Sequence, residues 1–183
     1  MTKIILGLTG EMGSGKGTIA KYIIEQKQGS SHRFSTMLRD VLNRLFIEQS
    51  RDNLQNFSTI LRQTFGEDIL AKVMFHEVQN DQHEIVVIDG IRRMSDIAFL
   101  TKIPEFKLIY TETDMKIRFD RISIRGENSD DGKKTFEQFI ESHKNEAESQ
   151  ILDLRNHANV IINNNGSLED LHRTVDQLID GQK

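Results

Sequence analysis

The sequence predicts an α/β fold in which a parallel sheet carries helices on both faces. Short apolar runs typical of buried strands alternate along the chain with segments of helical periodicity. The two clearest runs, Lys3–Thr9 (KIILGLT) and Glu84–Asp89 (EIVVID), each stop at a glycine. Such alternation favours parallel pairing and a sheet that is buried on both sides. With 183 residues, one proline and no long Gly/Ser tract, the chain is expected to form a single domain over residues 1–183.

The first half of the chain is predicted to be mostly helical after its first strand. A helix from Lys16 to about Gln28 is indicated by apolar residues on one face, and a short strand is expected near Arg33–Ser35. Apolar residues at helical spacing then predict one helix with Met37, Leu38, Val41, Leu42, Leu45 and Phe46, a second with Leu54, Phe57, Leu61 and Phe65, and a third from Glu67 towards Asn80. Two consecutive helices within residues 36–80 are interpreted as an insertion beside the sheet that binds an acceptor.

The second half alternates more regularly. The predicted elements are the strand Glu84–Asp89, the strand Lys107–Thr111, a helix over Asp114–Arg125, a polar loop over Glu127–Lys134, a helix opening at Thr135, the strand Asn159–Ile162 and a last helix opening at Ser167. Thr135 with Gln138, and Ser167 with Asp170, have the form of capping boxes, which mark helix starts.

The bulk composition excludes several classes of protein. The net charge of −4 argues against nucleic acid as the main partner, because such proteins are more often basic. The absence of cysteine excludes a disulfide framework and thiolate metal sites, and it suits a reducing compartment. The longest apolar run near the start, Ile4–Leu6, is far too short for a signal peptide or a membrane span. A cytoplasmic protein without membrane partners, as a monomer or a homodimer, is therefore expected.

The sharpest signal is the glycine-rich segment between the first strand and the first helix. Its predicted phosphate-binding residues are Gly10, Gly13, Ser14, Gly15, Lys16, Gly17 and Thr18. Glycine lets backbone amides turn inward and approach phosphate oxygens closely, and the following helix adds its N-terminal dipole. Lys16 follows at Walker A spacing, where its charge bridges the outer phosphates of ATP. The alternative, a glycine-rich turn without a ligand, is disfavoured by the strand before and the helix after.

One position departs from the Walker A pattern. Gly17 stands directly after the lysine, where Ser or Thr is usual, and the hydroxyl comes one place later at Thr18. Thr18 remains the candidate hydroxyl ligand for Mg²⁺, although the shift by one position makes its direct coordination less secure.

The shifted loop resembles that of nucleoside monophosphate kinases such as adenylate kinase. The longer stretch Leu8–Lys16 (LTGEMGSGK) and the segment Asn159–Leu171 (NVIINNNGSLEDL) resemble dephospho-CoA kinases. Val86–Arg92 (VVIDGIR) is similar to an adenylate kinase segment in which Asp-Gly-x-x-Arg follows a strand. The whole chain also resembles an archaeal group of dephospho-CoA-kinase-like proteins. These resemblances imply a P-loop kinase sandwich of three layers, with a helical acceptor flank and a short lid over residues 126–149, that uses ATP and Mg²⁺.

Asp89 ends a predicted buried strand, where the resemblance implies a carboxylate beside Mg²⁺ or a catalytic base. The alternative is a turn-forming Asp-Gly pair after the strand. Asp40 is a less convincing candidate for the base.

Four arginines are candidates for binding the acceptor: Arg39, Arg62, Arg92 and Arg93. The resemblance to nucleoside monophosphate kinases implies that Arg39 lies in the acceptor-binding segment and that Arg92 or Arg93 holds the acceptor's phosphate. Arg62 is predicted to face the same pocket. A solvated surface charge is the alternative for each of them.

Arg118, Arg121 and Arg125 recur at helical spacing and are predicted to share one face of a helix. The resemblance implies that Arg121 and Arg125 contact the adenine and the transferring phosphates, which makes them catalytic candidates together with Lys16 and Asp89. The lid residues 126–149 include no arginine, so a lid cation is sought among Lys133, Lys134, Lys144 and Arg155.

The predicted function is ATP-dependent transfer of the γ-phosphate to a small nucleotide-like acceptor, either a (deoxy)nucleoside monophosphate or a dephospho-CoA-like molecule. Two other hypotheses about the function stay open. One is a P-loop ATPase or regulatory switch without a small acceptor, and the other is a polynucleotide 5′-kinase, which the acidic balance disfavours.

Overall fold

The computed structural model describes residues 3–125, 135–142 and 146–181. Within these ranges the strands are β1 (Ile4–Thr9), β2 (Ser30–Arg33), β3 (Ile85–Asp89), β4 (Phe106–Glu112) and β5 (Val160–Asn163). They form one sheet in the order β2-β3-β1-β4-β5, and every pairing in it is parallel. The predicted parallel sheet is confirmed.

The helices in the same ranges are α1 (Lys16–Lys27), α2 (Phe34–Arg44), α3 (Arg51–Phe65), α4 (Ile69–Asn80), α5 (Met115–Arg125), α6 (Phe136–Ser142), α7 (Glu146–Arg155) and α8 (Leu168–Asp180), with 3₁₀ segments at Met94–Ile97 and Leu100–Lys102. Both predicted capping boxes are present. Thr135 and Gln138 exchange backbone-to-side-chain hydrogen bonds before α6, and Ser167 and Asp170 do so before α8.

Each face of the sheet has its own apolar core, because successive side chains of a strand point to opposite faces. On one face, Ile5, Val86 and Leu108 pack with residues of α2, α4 and α7. On the other, Leu6 and Val87 pack with residues of α1 and α8. This arrangement confirms the predicted three-layer sandwich with helices on both faces of the sheet.

The second strand lies earlier than the sequence suggested. It spans Ser30–Arg33, in register with Val86 to Asp89, and α2 begins at Phe34. β2 is an edge strand whose side chains are alternately half-buried and exposed. Because an edge strand needs no continuous apolar run, its polar sequence (SSHR) gives little signal.

Two aromatic residues of the predicted helical patterns lie outside the core. Phe46 is 97% exposed and has a φ of 56°, because α2 ends at Arg44 and the chain turns into the left-handed region there. Phe65 is the last residue of α3 and is 62% exposed.

Three helices, α2 to α4, occupy the predicted flank at residues 36–80. α4 belongs to a sheet layer, since Leu70, Met74 and Val78 are buried in the core. The apolar residues of α3 are at most partly buried against the same core, so α3 is the outer helix of the flank. Within the described ranges, no helix is both long and apolar enough to cross a membrane.

Candidate functional site

The loop between β1 and α1 adopts a conformation that requires glycine. Gly10, Gly13 and Gly15 have φ values of 137°, 79° and 106°, in the region that L side chains rarely enter. A Cβ on Gly13 would lie 2.8 Å from the carbonyl oxygen of Arg118, and one on Gly15 would collide with the Asn164 amide. Gly17 differs, because a Cβ there would meet no atom within 4 Å.

The Lys16 ammonium lies against the inside of this loop. Its Nζ donates to the carbonyl oxygens of Gly10 and Glu11 at 2.6 and 2.9 Å, and to Oγ of Ser14 at 3.4 Å. α1 begins at Lys16, so its first N–H groups and its positive dipole end point to the same place. A positive charge, inward-turning glycines and a helix N-terminus therefore converge on one concavity, which is suited to a polyanion.

Two polar residues from neighbouring strand ends hold this loop. Thr113, after β4, donates from Oγ1 to the Ser14 carbonyl at 3.0 Å. Asn164, after β5, donates from Nδ2 to the same carbonyl at 2.8 Å and is only 5% exposed. Sequence reasoning missed Asn164, although three successive asparagines after a strand were a possible signal.

Beside the loop lies a cavity of about 170 Å³, lined by Gly15, Thr18, Arg121, Asn164, Leu168 and Leu171. Nη2 of Arg121 donates to the Asn164 carbonyl oxygen at 3.0 Å. Its Nη1 is buried and has no hydrogen-bond partner among the described residues. Burial lowers the pKa of the Arg121 guanidinium below its ordinary value. A ligand atom in the cavity could accept a hydrogen bond from this donor.

The three arginines of α5 do not share one role. Arg118 is 2% exposed and contacts the phosphate loop from the inside of the protein, with Nη2 2.9 Å from Oε1 of Glu11. Arg121 borders the cavity. Arg125 ends the helix, and its side chain lies outside the described part of the structure.

Asp89 ends β3 and is 7% exposed. Its Oδ2 accepts from Nε and Nη2 of Arg33, at 2.9 and 2.7 Å. Arg33 comes from the adjacent strand end, where it is in register with Asp89, and sequence reasoning gave it no role.

The residues present fit Mg²⁺ by their donor chemistry. Mg²⁺ prefers oxygen ligands and takes only one or two from the protein, the rest coming from phosphates and water. Asp89 supplies a carboxylate and Thr18, in the first turn of α1, an exposed hydroxyl. Within the described ranges, no group of three or more His, Asp or Glu side chains is placed to hold a metal ion.

Three of the four predicted acceptor arginines lie around one turn, because Asp96 pairs with Arg62 and accepts from the backbone N–H groups of Arg92 and Arg93. Arg39 is exposed and donates to Gln49 at 3.3 Å. Arg92 is exposed, and Arg93 lies 4.0 Å from Glu67. Arg62 is 6% exposed and pairs with Asp96 inside the protein, so its contacts differ from those of a pocket-facing residue.

The remaining candidates are less informative. Asp40 is exposed on α2. Arg155 is also exposed, and it pairs with Glu112 at 3.1 Å. The polar loop Glu127–Lys134 and Lys144 lie outside the described residues.

A larger hollow of about 490 Å³ runs along β2 and the end of α4, lined by Ser31, His32, Arg33, Thr36, Glu77, Asn80 and Asp81. It has two lining carboxylates: Asp81 is bonded within the protein to Ser30, His32 and His83, and Glu77 lies 3.4 Å from the His32 ring. Of its lining residues, Arg33 also contacts Asp89.

Comparison of the whole fold with solved structures gives long, low-identity matches. A shikimate kinase from Bacteroides thetaiotaomicron aligns with a TM-score of 0.64 and 16% identity, over 97% of this chain and 98% of that one. The protein TT1252 from Thermus thermophilus aligns with a TM-score of 0.63 and 18% identity, over the full length of both chains. These likenesses show the P-loop kinase fold.

Comparison by sequence gives relatives that span almost the whole chain. A UPF0200 protein from Thermococcus kodakarensis is 30% identical over 182 residues, covering 97% of this chain and 97% of that protein. A UPF0200 protein from Methanothermobacter thermautotrophicus is 23% identical over 180 residues, covering 98% and 90%. A family model described as an AAA domain matches residues 6–153, most of the chain. The chain therefore belongs to the UPF0200 proteins and to this AAA domain family.

Proposed function

We propose that the protein is an ATP-dependent phosphotransferase that moves the γ-phosphate of ATP to a small nucleotide-like acceptor. The observation that carries the proposal is the loop from Gly10 to Thr18, in which the Lys16 ammonium lies within 3 Å of two loop carbonyls. A P-loop kinase fold supports nucleotide binding and kinase-like chemistry. The acceptor class, a (deoxy)nucleoside monophosphate or a dephospho-CoA-like molecule, is the finer part of the proposal.

In phosphoryl transfer the protein mainly positions groups and neutralises charge. Lys16 and the N–H groups at the start of α1 hold the β- and γ-phosphates. Arg121, whose Nη1 is buried without a partner in the described ranges, donates to the nucleotide in the 170 Å³ cavity. Arg125, which follows on the same helix, is proposed to neutralise charge on the transferring phosphoryl group.

Thr18 and Asp89 would hold Mg²⁺, which neutralises charge on the phosphate oxygens when bound. Arg39, Arg92 and Arg93 are proposed to bind the phosphate of the acceptor, since one guanidinium group can donate two parallel hydrogen bonds to phosphate oxygens. A phosphate acceptor is already an anionic nucleophile and needs no base. A ribose hydroxyl benefits from a carboxylate base, for which Asp89 and, less convincingly, Asp40 are the candidates.

The test is an ADP-release assay with Mg²⁺ and ATP, in which single acceptors are added. The panel holds each (deoxy)nucleoside monophosphate and dephospho-CoA, together with shikimate because structural neighbours are shikimate kinases. ADP release that depends on a nucleotide acceptor supports the proposal. Equal release without any acceptor favours the ATPase or switch, and release that depends on shikimate alone rejects the nucleotide acceptor.

Lys16→Ala provides the internal control for the loop assignment. Loss of a positive charge that contacts the outer phosphates is expected to lower turnover by at least about a hundredfold. Full activity in this variant would refute the assignment of the phosphate loop.

A further inference from the structure

We infer that Arg118 is a positioning residue for the phosphate loop, which it keeps in a phosphate-accepting shape by neutralising Glu11 and binding the loop backbone. This role depends on the proposed function, because it concerns how the loop accepts a polyphosphate.

The guanidinium group of Arg118 contacts both the phosphate loop and Thr113, the residue just after β4. Nη2 lies 2.9 Å from Oε1 of Glu11, and Nη1 donates to the carbonyl oxygen of Met12 at 3.2 Å. Nε donates to the carbonyl oxygen of Thr113 at 3.0 Å. The planar fork of an arginine suits such a set of acceptors, and a lysine cannot reproduce it.

The backbone of the same residue restricts the loop further. The carbonyl oxygen of Arg118 lies so close to Gly13 that a Cβ there would come within 2.8 Å of it. Thr113, which accepts from Arg118, donates to the Ser14 carbonyl oxygen at 3.0 Å. Through these contacts α5 constrains four successive loop residues, Glu11 to Ser14.

The charge of Glu11 explains why a buried arginine is needed here. Glu11 places a carboxylate in a loop whose ligand is a polyanion, and like charges repel strongly where water is partly excluded. Arg118, at 2% exposure, compensates that carboxylate. The charge of Glu11 is also felt by Tyr110, whose pKa is raised to about 12 by burial and by the nearby carboxylates of Glu11 and Glu112.

The experiment measures the affinity of Mg²⁺-ADP and of inorganic tripolyphosphate by calorimetry, on the full-length wild-type protein and on Arg118→Met, Glu11→Gln and the double variant. Arg118→Met is expected to weaken both ligands about tenfold to a hundredfold, because it leaves an unpaired carboxylate next to the phosphates. The double variant is expected to recover at least half of that loss on a logarithmic scale. Arg173→Met is the matched control, since its guanidinium is 68% exposed and pairs only across the surface with Asp170 among the described contacts.

Thermal unfolding of each variant separates binding from stability. A merely structural Arg118 would lower Tm and leave both affinities unchanged at a temperature where the variant is folded, and that outcome overturns the inference. If Arg118→Met and the double variant bind both ligands with the same reduced affinity, the inference is also overturned. If Arg118→Met does not fold, Arg118→Lys replaces it: an affinity loss of about threefold to tenfold is expected, and wild-type affinity rejects the inference. Failure of the wild-type protein to bind either ligand would instead refute the proposed function.

Discussion

Arg62 and Asp96 form a buried ion pair, with Nη2 of the arginine 2.6 Å from Oδ1 of the aspartate and side-chain exposures of 6% and 3%. The pair joins α3 to the 3₁₀ segment that follows β3. The other oxygen of Asp96 accepts from the backbone N–H groups of Arg92 and Arg93, at 2.9 and 3.1 Å. Arg62 thus shapes the turn that presents two of the proposed acceptor-binding arginines.

Arg62→Met is expected to lower the free energy of unfolding by about 3–5 kcal/mol, because it leaves Asp96 buried without its charge partner. Urea unfolding measures the change. Arg93→Met is the control, since Arg93 lies 4.0 Å from an exposed Glu67, and its loss should cost less than about 1 kcal/mol. An Arg62→Met protein of wild-type stability with only a raised acceptor KM would instead assign Arg62 to the acceptor site.

Gly15→Ala and Gly17→Ala form a matched pair within the phosphate loop. Gly15 has a φ of 106° and no room for a Cβ beside Asn164, so its substitution must deform the loop. We expect Mg²⁺-ADP affinity to fall by at least about tenfold in Gly15→Ala. A Cβ added to Gly17 would meet no atom within 4 Å, and Gly17 lies in the first turn of α1. The affinity of Gly17→Ala for Mg²⁺-ADP should therefore stay within about threefold of wild type. Calorimetry tests both, and equal affinities for the two variants would contradict the described loop geometry.

Asp81→Asn tests the hydrogen-bonded cluster at the end of α4. Burial alone would raise the pKa of Asp81, but hydrogen bonds from Ser30, from the backbone and ring of His83 and from His32 lower it well below its ordinary value. A lowered pKa in the folded state means stabilisation that is fully present above the unfolded pKa of about 3.9 and lost as the pH falls through the folded value.

The variant is therefore expected to be less stable than wild type by about 1–3 kcal/mol at pH 7. The difference should shrink as the pH falls below about 4. Urea midpoints between pH 3 and pH 7 measure it, with Asp120→Asn, which loses an exposed pair with Lys116, as the control. A stability difference between Asp81→Asn and wild type that grows on acidification would contradict the prediction.

Arg92→Ala tests the proposed acceptor site. Arg92 is exposed and its backbone N–H is fixed by Asp96, so removal of its side chain should leave the turn in place. Loss of a charge-assisted hydrogen bond to a phosphate is expected to raise the acceptor's KM about tenfold to a hundredfold, with the KM of ATP within about twofold. Steady-state kinetics with each substrate varied in turn will show it. If ATP binding alone suffers, Arg92 belongs to the donor site.

Several features of the fold and site were predictable because they depend on neighbours in sequence. The Lys3–Thr9 run, the glycines at 10 and 15 and the helix after Lys16 specify the phosphate loop within a stretch of about 25 residues. The capping boxes at Thr135 and Ser167 are equally local. Arg118 shows where prediction from local sequence stops. Helical spacing places Arg118 near Arg121 and Arg125, but it does not tell which face of the helix contacts the phosphate loop.

The amino-acid sequence by itself determined the alternation of strands and helices, and with it a parallel sheet with a phosphate-binding loop after β1. The tertiary structure decided which charges meet: Arg33 with Asp89, Arg62 with Asp96, and Arg118 with Glu11. These pairs lie between 34 and 107 residues apart in the chain. Their formation depends on the strand order β2-β3-β1-β4-β5 and on the packing of helices against it, which no local periodicity encodes.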